Sequence, residues 1–83
     1  MNNKIEKSEN KYSTTDLCLA GVLAIFYPLE EVTKDPFSNK SIFVFSDSEA
    51  LGEMVNKFHL GELRIEPRVF FSQLRILKTR LHY

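Results

Sequence analysis

Polar residues dominate the start of the chain, where Ile5 is the one apolar side chain between Met1 and Tyr12. Residues 1–11 are therefore expected to form a disordered tail, with a single domain over 12–83. From 17 to 27 the chain then runs for 11 residues without a polar side chain other than the tyrosine hydroxyl at its end. Ser13 followed three residues later by Asp16 fits a capping box with Asp in place of the usual Glu or Gln. A helix is predicted over 14–26, stopped by Pro28. A helix that is apolar on every side sits at the centre of a core or continues its apolar surface into a partner. Its small residues Ala20, Gly21 and Ala24 permit close approach by another element.

The pattern then changes to that of a hairpin. Residues 29–33 read as a modest strand, Asp35-Pro36 and Ser38-Asn39 as turn formers, and 41–45 as the strongest strand of the chain. The unbroken apolarity of Ile42-Phe43-Val44-Phe45 predicts burial on both faces, or helices on one face and a second copy on the other. Ser46 with Glu49 forms a second capping box. Leu51, Met54, Val55 and Phe58 then recur at helical spacing up to a stop at Gly61. Residues 62–65 alternate polar and apolar and predict a short third strand. Pro67 suits the first position of a closing helix. In that helix Phe70, Leu74, Leu77 and Leu81 fall within ~60° of one another and form its core stripe. The order is α-β-β-α-(β)-α: an α+β domain with an antiparallel hairpin or three-stranded sheet against three helices. Leu23, Phe45, Phe58, Phe70, Leu74 and Leu77 are expected to be nearly buried.

Composition supports a packed core. Of 83 residues, 43% are hydrophobic and 12% aromatic, above what disordered chains carry. Cys18 is the only cysteine, so no intrachain disulfide is available, and its apolar surroundings predict a small core residue. The polar start offers no apolar stretch for a signal peptide, and 11 apolar residues fall short of the ~20 that span a bilayer. These features predict a soluble cytoplasmic protein with no membrane partner.

The net charge of 0 conceals a segregation. Residues 30–66 hold eight acids and four bases, whereas 67–83 hold Arg68, Arg75, Lys78 and Arg80 and no acid. Either the two regions neutralise each other within the fold, or the basic end meets an acidic partner. On the closing helix, Arg68, Phe71, Arg75, Lys78 and His82 gather on one flank of the stripe, with Val69, Ile76 and Arg80 on the other. Cations along a helix can neutralise phosphates, and an exposed aromatic among them can stack on a base.

No other constellation points to chemistry. Cys18, His59 and His82 are too far apart in sequence to form a ligand motif, and His59 reads as a helix-end residue favoured by the dipole. Gly21, Gly52 and Gly61 make no phosphate cradle. No catalytic residue, metal, cofactor or small-molecule substrate is assigned, and the protein is read as a non-enzyme.

Four stretches carry a resemblance: Tyr12-Ser13-Thr14-Thr15-Asp16-Leu17-Cys18-Leu19-Ala20, Ile42-Phe43-Val44-Phe45-Ser46-Asp47, Phe58-His59-Leu60-Gly61-Glu62, and Pro67-Arg68-Val69-Phe70-Phe71 with Leu77-Lys78-Thr79-Arg80-Leu81. Together the chain resembles a family of short, uncharacterised bacterial and mobile-element proteins over residues 12–83. The hairpin loop 35–39 departs from that family, where a more basic loop is expected. The resemblance implies a shared small α+β fold and brings no activity with it. From the residues themselves, the leading expectation is a non-enzymatic interaction module that self-associates or binds a protein partner. Helix one and strand 42–45 are its candidate contact surfaces. The alternative is a nucleic-acid accessory protein using the basic flank of the last helix.

Overall fold

The computed structural model describes residues 10–81. Residues 1–9 of the expected tail over 1–11, and His82, lie outside them. The elements run β1 (Lys11–Thr14), α1 (Leu17–Phe26), β2 (Glu31–Lys34), β3 (Ser41–Ser46), α2 (Glu49–Leu60) and α3 (Pro67–Arg80). An antiparallel three-stranded sheet in the order β1-β3-β2 meets three helices, as the α+β reading expects. Among the described residues, no helix is long and apolar enough to cross a membrane.

The third strand is where the order departs from expectation. It is Lys11–Thr14, not 62–65, and Lys11, assigned to the tail from sequence, is its first residue. Both neighbours of β3 are thereby taken, by β1 with Thr14 opposite Phe43 and by β2 with Val32 opposite Phe43. Residues 62–65 keep the alternating burial that suggested a strand, with Leu63 and Ile65 half-buried, but form no ladder. Alternation reports an extended, half-buried segment; a strand must also lie alongside another, whereas Leu63 and Ile65 line a groove with Cys18, Val22, Phe58 and Phe70.

Recruiting Ser13 into β1 moves the helix cap. Asp16, not Ser13, is the N-cap of α1, its Oδ1 accepting from the N–H groups of Cys18 (2.9 Å) and Leu19 (3.2 Å). The same shift occurs at α2. Ser46 ends β3, and Ser48 caps the helix by accepting from the Leu51 N–H at 3.1 Å. Gly61 stops α2 as expected, with φ 72°. Its N–H donates to the Phe58 carbonyl and that of Glu62 to the Lys57 carbonyl, a complete Schellman motif that closes the helix end. Pro67 opens α3, and Glu66 accepts from the Val69 N–H at 2.9 Å. The hairpin turn forms at the predicted residues, where Asp35 binds the Phe37 N–H and the Ser38 hydroxyl and Asn39 takes φ 63°.

Period-two geometry puts Phe43 and Phe45 on one face of β3 and Ile42 and Val44 on the other. The phenylalanines are fully buried against Leu19, Ala20 and Leu23 of α1, Leu51 of α2 and Leu77 of α3. Ile42 and Val44 are only half-buried, so the strand is covered completely on its helical face alone. Five consecutive residues of α1, from Leu19 to Leu23, are buried, which makes it the central helix its all-round apolarity predicts. At Gly21 a Cβ would lie 3.0 Å from Leu74 Cδ2 and from Phe70 Cε1, so α3 sits as close to α1 as a glycine allows. Of the residues expected to be nearly buried, Leu23, Phe45 and Leu77 are so, whereas Phe58, Phe70 and Leu74 are half-buried. Those three lie toward the margins of a sheet-and-helix stack whose centre is already filled.

On the outer side of the sheet Glu30 accepts from Lys11 Nζ of β1 and the Ser46 hydroxyl of β3. These two hydrogen bonds, Lys11 first, hold its carboxyl below the usual carboxylate range. A depressed pKa stabilises the fold above the unfolded pKa, and that contribution disappears as pH falls through the folded value. Glu30→Gln is therefore expected to flatten the loss of stability between about pH 5 and pH 3. Urea midpoints measured across that range check it; an unchanged acid limb would assign the loss to other carboxylates.

Candidate interaction surface

Helix α3 docks by one stripe and turns the rest of its surface outward. Leu77 is buried, Phe70, Leu74 and Leu81 are half-buried, and Arg68, Phe71, Arg75 and Lys78 are all exposed. Phe71 is 63% exposed, so it does not pack beneath the hairpin or any other described element. The structure thus brings four of the five residues expected on the basic flank onto one surface, while His82 lies outside the described residues. On the opposite flank Ile76 and Val69 are 52% and 45% exposed, beside Arg80. The helical positions of these two were legible; their exposure was not, since an apolar side chain beside a core stripe is as readily covered as bare.

Among the described residues, charge on this surface is largely without ion-pair partners. Arg68 Nε lies 3.7 Å from Glu66 Oε2, a neighbour in its own helix cap. Arg75, Lys78 and Arg80 form no ion pair with other described residues. Among the described residues, the acids of 30–66 form no ion pair with these three. Glu49 and Glu53 of α2, with Asp47 before it, line an open hollow of about 740 Å³ together with Asn10, Ser48 and Asn56. Glu49 and Glu53 likewise form no ion pair with other described residues.

A smaller apolar groove of about 380 Å³ lies where α1, the end of α2 and the start of α3 converge, lined by Cys18, Val22, Phe58, Leu63, Ile65 and Phe70 among others. Cys18, expected in the core, is instead exposed at its edge. An all-apolar helix holds no periodicity from which to read its outward face, so the sequence had no means of placing this residue. Partial desolvation of the sulfur at the groove edge, and then the nearby Asp16 carboxylate, push the thiol's pKa up. The neutral thiol is thus favoured, the opposite of an activated nucleophile. His59 occupies the last turn of α2, as expected, with its ring edge-on to Phe58 at 5.3 Å between centroids. Among the described residues, no group of three or more His, Cys, Asp or Glu is placed to hold a metal ion.

These features define a small α+β domain with an outward-facing basic and apolar closing helix. The chain belongs to the family described as Domain of unknown function (DUF5659), whose family model matches residues 9–83. That span contains the whole stretch from Tyr12 on which the resemblance rests. Neither the curated proteins nor the solved structures include a match to it.

Proposed function

We propose that this protein is a small, non-enzymatic, cytoplasmic interaction module that meets a protein, either another chain or its own copy, through the outer surface of α3. The carrying observation is the exposure of Val69, Phe71 and Ile76 among Arg68, Arg75, Lys78 and Arg80 on a helix whose core stripe is separately satisfied. Aromatic and arginine side chains are the residues that supply most binding energy at protein interfaces. Of the contact regions expected from sequence, most of α1 and the Phe43/Phe45 face of β3 are occupied within the fold, and the Ile42/Val44 face of β3 stays half-buried.

A second reading is contact with nucleic acid, favoured by one observation. Arg75 and Lys78, which have no ion pair among the described residues, share a flank with exposed Phe71, the pairing of cations and an aromatic that single strands use. The two flanks differ, however. Val69 and Ile76 offer no ring for a base to stack on, and aliphatic contact suits a protein surface better.

Site-specific photo-crosslinking separates the readings. A benzophenone amino acid in place of Phe71 is expected to yield protein adducts in cells. The same group in place of Phe37, 97% exposed at the hairpin tip, serves as the control for exposure alone. Adducts removed by nuclease would favour the second reading. Equal yields from both positions would remove α3 as a special surface.

A further inference from the structure

Resting on that reading, we infer that the partner of α3 is a second copy of this chain, and that α3 of one copy lies antiparallel against the outer face of α2 of the other. Charge complementarity is the first support. The outer face of α2 carries Glu49 and Glu53, and the outer face of α3 carries Arg75 and Lys78; all four are exposed and without an ion pair to other described residues. The two surfaces cannot satisfy each other by α3 meeting α3, since a like-on-like contact would bring basic flanks together at a cost.

Matching spacing is the second support. On α2, Glu49, Glu53, Asn56 and Leu60 fall within ~60° of one another at 100° per residue. Leu60, seven residues after Glu53, is 62% exposed. On α3, Phe71 precedes Lys78 by the same seven residues, and the two differ by only ~20° around the helix. Seven residues span ~10.5 Å. Antiparallel alignment therefore sets Glu53 opposite Lys78 and Leu60 opposite Phe71 in one register, an ion pair and an apolar pair together. It also opposes the two helix dipoles, with the acidic start of α2 beside the basic end of α3. Because the contact joins unlike surfaces, it either closes as a two-fold dimer with two such contacts or continues head to tail into larger assemblies.

Equilibrium sedimentation of the full chain tests this, with protein up to on the order of 100 μM, within reach of weak protein contacts. Self-association is expected, and it should weaken about tenfold or more between ~0.1 M salt, where the screening length is ~10 Å, and ~1 M, where it is ~3 Å. Glu49→Lys with Glu53→Lys should abolish it, and so should Arg75→Glu with Lys78→Glu, since each sets like charges face to face at positions 53 and 78. Mixing the two variants should restore association, because the reversed charges again complement. Circular dichroism on each variant confirms that these exposed changes leave the fold intact. A monomer at every concentration and salt overturns the inference, as does association that either double variant leaves unchanged or that mixing fails to restore. A monomer that still gives photo-adducts at position 71 with a different protein would remove the second copy and leave the interaction module standing.

Discussion

Phe43→Ala is expected to lower the unfolding free energy by about 3–5 kcal/mol, the range for deleting a buried phenylalanine from a packed core. Phe43 is 1% exposed, on the central strand, with Thr14 and Val32 as its cross-strand neighbours. It faces the buried cluster that unites all three helices, so the cavity left behind would be ringed by residues that cannot all move inward. A domain of this size has on the order of 5–10 kcal/mol of total stability, so the variant would sit near its unfolding threshold at ordinary temperature. Ile42→Ala, one residue away on the opposite face and half-buried, should cost much less. Urea unfolding of both variants measures the difference. Equal losses would mean that the outer face of the sheet is covered as fully as the inner one.

That contrast between adjacent residues could not be read from Ile42-Phe43-Val44-Phe45, because four apolar side chains in a row fit burial on either face. The sequence contained the strand and not its sidedness. Helix α3 was the most legible element, since Pro67 marks its start and Phe70, Leu74, Leu77 and Leu81 repeat at one helical face. β1 was the least legible. Ser13, Thr14 and Asp16 are all residues that cap helices, and local chemistry alone does not choose among them. The choice is made at long range, where Thr14 is held opposite Phe43 and Ser13 opposite Val44 in the sheet, leaving Asp16 to cap. The same competition displaced the second cap from Ser46, which pairs with Lys11, to Ser48.

The candidate surface was half legible for a related reason. Helical geometry placed Arg68, Phe71, Arg75 and Lys78 on one flank from sequence alone. Whether those charges found acids within the fold depended on where the elements pack. Both α2 and α3 pack against α1, and the acids of α2 form no ion pairs with α3 among the described residues. Charge segregation along the chain thus became charge segregation in space.

Leu77→Ala is expected to cost about 2–5 kcal/mol, and Leu74→Ala distinctly less, although both belong to the same stripe. Leu77 is 1% exposed and joins the buried cluster beneath the sheet, whereas Leu74 is half-buried. Deleting Leu77 leaves a cavity within the buried cluster it shares with Leu19, Leu23, Leu51, Phe43 and Phe45. Deleting Leu74 opens a gap toward solvent that water and the neighbouring Phe70 ring can fill. The cost of such truncations depends on how well the site collapses, and a marginal site collapses better than a central one. Leu74 also lies against Gly21, where an added Cβ would be 3.0 Å from its Cδ2, so it packs there on the bare backbone of α1. Urea titrations of the two variants, with the slopes compared to confirm a common unfolding transition, give the ordering. A larger loss at position 74 than at position 77 would mean that α3 is anchored at the α1 crossing and not beneath the sheet. The outward flank of Arg75 and Lys78 would then be rotated from the position on which the proposed contact depends.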